Sequence, residues 1–283
     1  MFDVTRIVKM IEKEKSLDTI SKPLSKWISK ATAPDPIKYL LSGSWAGHQL
    51  HPPLTDIPIG AWTVASLLDL TGGEQMRPAA QRLVGIGILS SVPVAITGAS
   101  DWSETYGKER RVGMAHILGN TWGLSLQALS WWARKKDRHM LGTGLSLAGL
   151  GFTTIAGYLG GHLSFDMGVG VNHTAFQTRS RKWTEVADED EVQEGQLVRV
   201  EVNDVPVVLT RHQGDLHALS ATCAHAGGPL HEGRIEGDCI VCPWHQSKFR
   251  ISDGVPQRGP AGSMQPSWQV RAENGRIAVR SAH

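Results

Sequence analysis

The sequence predicts an α+β, multidomain protein, in which an N-terminal all-α four-helix transmembrane bundle is followed by an all-β domain. Three observations carry this. Charge is spread unevenly: residues 54–163 hold few charged side chains among many Gly, Ala, Leu, Ile and Trp, whereas residues 178–283 are dense in charge. Within the charge-poor part, four apolar segments each approach the ~20 residues needed to cross a ~30 Å hydrocarbon core. Within the charged part, apolar and polar residues alternate between turn dipeptides, as antiparallel strands require.

The elements follow in chain order. Residues 3–30 read as an amphipathic helix, with Val4, Ile7, Val8, Ile11, Leu17 and Ile20 at helical spacing among Lys and Glu. Such a helix lies on a membrane surface or packs on a neighbour. Pro34 and Pro36 end it. The four apolar segments are 54–71, 79–99, 112–133 and 140–163. Their Gly, Ala, Ser and Thr suit close helix packing in a membrane, and helices apolar all round indicate lipid or a large core. Short connections make the four antiparallel. Residues 164–182 form a Gly-containing linker with a basic end, and the strand-like runs after it turn at Asn203-Asp204 and Gly214-Asp215. Residues 268–280 read as a hairpin around Asn274-Gly275. The division is therefore 1–47 helical segment, 48–166 bundle, 167–182 linker and 183–283 β domain.

A formal net charge of +2 gives no reason to expect nucleic-acid binding. Ten Trp are many for this length, and Trp45, Trp102, Trp131 and Trp132 stand near segment ends, where an indole suits a membrane interface. The three cysteines offer no disulfide framework, and no cleavable signal peptide is visible.

Two of those cysteines carry the chemistry. Cys223-Ala-His225 and Cys242-Pro-Trp-His245 each place a thiolate and an imidazole on a tight loop. Two such loops facing each other can clasp a two-iron, two-sulfide core, with Cys223 and Cys242 on one iron and His225 and His245 on the other. A Cys2His2 zinc site is the rival reading. Gly227 and Gly228 beside the first pair let backbone N–H groups approach the sulfides. The stretches CAHAGGPL and CPWHQSKF resemble the two cluster-binding boxes of the Rieske [2Fe–2S] family, and Gly259-Pro260-Ala261 resembles the proline loop that covers the cluster there. The resemblance spans about 183–283.

Departures from the family are informative. High-potential respiratory members carry an extra cysteine in each box, where Gly228 and Trp244 stand here. They also carry a tyrosine that donates to a cysteine sulfur, where Phe249 cannot; Ser247 is left to donate to a sulfide. Fewer donors stabilise the added electron less, so the resemblance implies a low potential, toward about −150 mV, as in the ferredoxin components of ring-hydroxylating oxygenases. Gln246 stands where the family usually has Gly, a departure that bears on the second loop.

Simple alternation of the four spans brings ionisable residues to one side of the bundle: His48, His51, Asp56, Asp101, His116, His162, Asp166 and His173. Ionisable groups at membrane depth mark a functional site by default. His48, His51, Asp101, His116 and His162 are the candidate membrane redox site, for haem b or a quinone. A non-haem metal or a polar girdle fixing the helix ends are the other readings of these residues. Asp69 is a separate buried carboxylate candidate. The runs GHQLHPPLTDIPIGAWTVASLLDL, TGASDW, RVGMAHILGN and GYLGGHL resemble a bacterial family of four-span membrane domains of unknown function over about 40–175.

The expected protein is thus a membrane-anchored Rieske electron-transfer component rather than a self-contained enzyme. Its partners are membrane lipid and redox proteins, not nucleic acid. It is expected as a multi-pass protein of the bacterial inner membrane with the Rieske domain on the cytoplasmic side. A plain tethered ferredoxin for an oxygenase or reductase, or a non-redox zinc-binding membrane protein, is the alternative.

Overall fold

The computed structural model describes residues 4–282 and forms two compact units. The first joins the chain up to Ala31 with Leu50–Val169, and the second joins Thr32–Gln49 with Gly170 onward.

Seven α-helices occur among the described residues. The expected helix over 3–30, whose first residue lies outside the described ones, is two: α1, Val4–Lys13, and α2, Asp18–Thr32. Between them Glu14 accepts the Ser16 N–H at 3.1 Å and caps a 3-10 turn at Lys15–Leu17. That local bond competes with a continuous helix. Pro34 and Pro36 separate two helices rather than closing the region. Pro36 stands in the first turn of α3, Asp35–Leu41, where a missing N–H costs nothing.

Four long helices fall at the four apolar segments: α4, His51–Thr71; α5, Arg77–Trp102; α6, Gly107–Lys135; α7, His139–Phe165. α4 packs on α5 and α6 on α7, and α5–α6 and α4–α7 contacts close the ring. The interior is small and polar, with Ser66, Thr97, Gln127, Ser130, Ser146 and Thr153 buried. Leu67, Leu89, Ile96, Trp122, Phe152 and Ile155 face outward. This reverses the arrangement of a water-soluble bundle and suits lipid. Segments Glu74–Trp102 and His139–Phe165 are long and apolar enough to cross a membrane. Asp69 is buried in an ion pair with Arg134. Trp102 is not an interface residue: it is buried, its indole N–H donates to the Arg110 carbonyl at 3.0 Å, and its ring fills the space a side chain at Gly113 would need. α1 settles on this bundle through Val8 and Ile11, against Val112 and Leu159, while its Ile7 and Met10 stay exposed.

The second unit is built on two antiparallel sheets. The larger has strand order β1-β10-β9-β4-β3-β2, from β1 (Thr184–Asp188), β2 (Val198–Val202), β3 (Val205–His212), β4 (Asp215–Ser220), β9 (Ser267–Glu273) and β10 (Arg276–Ser281). The smaller runs β5-β6-β7-β8, from β5 (Arg234–Glu236), β6 (Cys239–Val241), β7 (Lys248–Arg250) and β8 (Pro256–Arg258). Asn203-Asp204 and Asn274-Gly275 make the expected hairpin turns with positive φ. The third turn falls on Gln213-Gly214, one residue before the expected place, and Asp215 opens β4. β3 serves two cores. Val207 and Leu209 join Ile277 and Val279 on one face, and Val208 joins Leu219, Ile240, Phe249 and both Cys223 and Cys242 on the other.

Candidate metal centre

The two motif loops are built alike. In the first, the Cys223 N–H donates to the Gly228 carbonyl (2.8 Å) and the Gly227 N–H to the Cys223 carbonyl (2.9 Å). In the second, the Cys242 N–H donates to Ser247 (2.9 Å) and the Gln246 N–H to the Cys242 carbonyl (3.1 Å). Each loop needs positive φ four residues after its cysteine, at Gly227 (76°) and Gln246 (61°). Glycine does this freely. Gln246 is held there by its side chain, whose Oε1 accepts from Arg234 at 2.9 Å. The departure at 246 is thus accommodated with the loop intact.

Both sulfurs are buried at the base of the apolar core. Backbone N–H groups of His225 and Ala226 point at Cys223, and those of Trp244 and His245 at Cys242. The thiols touch each other. Their hydrogen bond, with burial behind it, raises Cys223, and the same bond pulls Cys242 down to about 7 against the opposing effect of burial. Opposite them the rings of His225 and His245 meet at 4.9 Å between centroids, nearly perpendicular. Burial first, then the charges of His245, Lys38 and His173, bring His225 down to about 3, so it is neutral and fit to bind a metal at pH 7. Its Nδ1 is buried with no hydrogen-bond partner, a ligand atom aimed at nothing in the protein. A Cβ at Gly228 would be tight, 3.0 Å from the Cys242 sulfur and 3.1 Å from the Trp244 ring. Among the described residues no three His, Cys, Asp or Glu converge on one ion. Cys223, Cys242, His225 and His245 instead form a sulfur pair and an imidazole pair, an arrangement that a two-iron core could use.

Supports reach the loops from elsewhere. Ser247 Oγ is buried and accepts the Ala261 N–H at 3.0 Å, which leaves its own proton to donate. Pro260 lies in the same loop and its carbonyl accepts from Gln49 Nε2 at 2.9 Å. Phe249 is fully buried in the core beneath. Sequence reasoning missed Gln265, which accepts from the Ala224 N–H (2.8 Å) and donates to Ser220 and Thr222 carbonyls (2.6 and 2.7 Å). It also missed Lys38, fully buried in α3. No local pattern marks either.

The five candidates for a membrane redox site are parted. His51 and His116 come together in the bundle, with ring centroids 6.3 Å apart. The Nδ1 of each pairs with a helix carbonyl, Val94 at 3.0 Å and Ala156 at 2.7 Å, and Asn120 Nδ2 lies 3.2 Å from His116 Nε2. His162 stands elsewhere, with Glu12 and Asp166 each at 3.4 Å. Asp101 is in the last turn of α5. His48 belongs to the second unit, where its backbone fills the space beside Gly262. His173, also in the second unit, donates its N–H to the Ala224 carbonyl at 3.0 Å.

Comparison with known proteins agrees with this geometry. Residues 182–269 match the family model of the Rieske [2Fe–2S] domain, and residues 47–173 match a family described as predicted membrane protein (DUF2231). A human Rieske domain-containing protein is 35% identical over 114 residues, which cover 33% of this chain and 71% of that protein. A Ralstonia protein, the ferredoxin component of naphthalene 1,2-dioxygenase/salicylate 5-hydroxylase systems, is 29% identical over 101 residues, 36% of this chain and 97% of that one. The solved ferredoxin of carbazole 1,9a-dioxygenase from Nocardioides aromaticivorans IC177 is 24% identical and aligns with a TM-score of 0.34 over 35% of this chain and 98% of its own.

Proposed function

We propose, from the premise that this chain belongs to the Rieske [2Fe–2S] family and carries a predicted membrane domain before its Rieske domain, that it is a membrane-anchored one-electron carrier of low potential. In this reading it passes electrons between a redox site in the bundle and a partner protein. Cys223 and Cys242 hold one iron and His225 and His245 the other. The observation that carries the reading is the pair of like-built loops, each with its cysteine sulfur facing two backbone N–H groups. The cluster supplies reversible one-electron chemistry. The protein supplies the ligands, a dry base of Phe249, Ile240 and Leu219, and the exposed Trp244 stacked edge-on to His245 as a contact for a partner.

The bundle site is assigned to His51 and His116, as haem ligands. Their ring centroids lie 6.3 Å apart inside the bundle, and the two imidazoles would hold a haem iron, which would supply one-electron chemistry there. A carbonyl on each Nδ1 fixes the tautomer with an unprotonated Nε2, and that of His116 would exchange its contact with Asn120 Nδ2 for the metal. A second reading, a tethered ferredoxin for an oxygenase or reductase, is favoured by the likeness to the Ralstonia ferredoxin component.

One experiment tests both. Membranes containing the protein are reduced with dithionite and examined by low-temperature EPR and optical spectroscopy. A Rieske signal titrating near about −150 mV is expected, lost in Cys223→Ser and His245→Ala. A Soret band is expected in the parent and in His162→Ala but not in His51→Ala or His116→Ala. A Rieske signal without a Soret band leaves the tethered ferredoxin. No iron–sulfur signal in the parent sinks the reading.

A further inference from the structure

We propose that Lys38 is a built-in cation that sets the reduction potential of the Rieske centre, held beside His225 by the segment 32–49 folded over the β domain. The proposal rests on the cluster reading above.

The orientation of α3 is the first observation. This helix buries one residue, Lys38, while Ile37 and Leu40 are 42% and 57% exposed. Burying an ammonium in preference to isoleucine and leucine runs against the hydrophobic effect, and it persists only where something compensates the buried charge.

The second observation is how firmly the segment is fixed. Asp35 at its start is 2.8 Å from Lys248 Nζ and 2.9 Å from Arg258 Nε. Arg258 in turn donates to the Ala33 carbonyl at 3.1 Å and to the Gln246 carbonyl in the second ligand loop at 2.9 Å. Ser42 Oγ donates to the Lys38 carbonyl (2.6 Å), and Ser44 Oγ donates to the Ala261 carbonyl in the proline loop (2.7 Å). Gly259 has no room for a Cβ, because Ser42 and the Lys38 carbonyl fill that space. Lys38 therefore sits against the proline loop by construction, and it is among the charges that act on His225, after burial and His245.

The third step is charge balance. Two ferric irons, two sulfides, two thiolates and two neutral imidazoles sum to no net charge, and one added electron leaves one negative charge. A fixed cation in a low-dielectric surrounding favours the reduced form by Coulomb attraction.

The test is a redox titration of the full-length protein in detergent, followed by the Rieske EPR signal. Lys38→Met keeps the length and removes the charge, and Lys38→Arg keeps the charge. Lys38→Met should lower the equilibrium constant for reduction about tenfold, a midpoint about 59 mV more negative, and Lys38→Arg should restore most of it. Lys38→Gln is the second neutral variant, read in the same way should Lys38→Met lose its cluster. Equal midpoints in the neutral variant and the parent overturn the proposal. So does a shift shared by Lys38→Met and Lys38→Arg, which would make Lys38 a packing residue. A parent without the Rieske signal overturns the cluster reading itself. A parent with the signal and no shift in the variants overturns only the role of Lys38.

Discussion

Gln265 shows what single residues contribute beneath the ligands. Its amide is fully buried and makes three hydrogen bonds, all to the backbone of 220–224 that leads into the first ligand loop. Truncation would strand one N–H and two carbonyls away from water, each costing about 1–3 kcal/mol unless a water enters. Gln265→Ala should therefore destabilise the β domain by roughly 3 kcal/mol and release the cluster at a lower temperature than the parent. Thermal melts followed by visible circular dichroism and by far-ultraviolet circular dichroism measure the two losses. Unchanged melts would show that the amide is dispensable. The four proposed ligands could be picked out in the sequence because two short stretches carry them. Gln265 and Lys38 were not, since each reaches the loops from a distant part of the chain and has an ordinary local context. Asp69 was legible as a buried carboxylate, but its partner Arg134 read only as part of a basic loop.

Elements were legible where period and punctuation agree. The four long helices and the hairpin at 267–281 lie within a few residues of their expected places. What the sequence hid is the allegiance of 32–49, which packs with the β domain although the bundle interrupts the chain between them. The reason is electrostatic as well as apolar, and it is pH-sensitive. The hydrogen bond from Lys248, with the charges of Lys248 and Arg258 behind it, holds the Asp35 carboxyl below its usual 3.8 against a smaller opposing effect of burial. A depressed acid stabilises the fold fully above its unfolded value and loses that contribution as pH falls through the lower folded value. Docking of α3 should accordingly be constant from neutral pH down to about 4 and weaken below. Asp35 is half exposed, so solvent screening limits the effect of Asp35→Asn at pH 7 to about 1 kcal/mol or less. Hydrogen exchange of 35–42 measures it. The variant should exchange faster than the parent at pH 7, and the difference should shrink as pH falls below about 4. No difference at pH 7 would place the docking energy in the serines and not in the carboxylate.

At the scale of the molecule, the bundle divides its work between helices, and this explains an uneven hydropathy. α5 and α7 pass as membrane spans on length and composition, whereas α4 and α6 do not. The second pair supplies the inward donors. His51 and Trp62 of α4 pair with Val94 and Val84 carbonyls of α5, and His116, Gln127 and Ser130 of α6 pair with Ala156, Ser146 and Gly142 carbonyls of α7. α5 and α7 answer with glycines that admit those rings, Gly87 for Trp62, Gly98 for His51 and Gly160 for His116. The two helical hairpins thus repeat one design, and each delivers one histidine to the central pair. Many of the polar residues that lower the hydropathy of α4 and α6 are consumed inside, and the exposed Thr63, Thr121 and Ser125 donate to carbonyls of their own helix, so all four helices can turn apolar side chains to lipid. The full chain should therefore behave as an integral membrane protein. It is expected to stay in the pellet after alkaline carbonate washing and to enter solution only with detergent, in Lys38→Met as in the parent. Release by carbonate would mean that the exposed apolar faces of the bundle are covered by protein instead of lipid, and the histidine pair would then have to be explained in a water-soluble assembly.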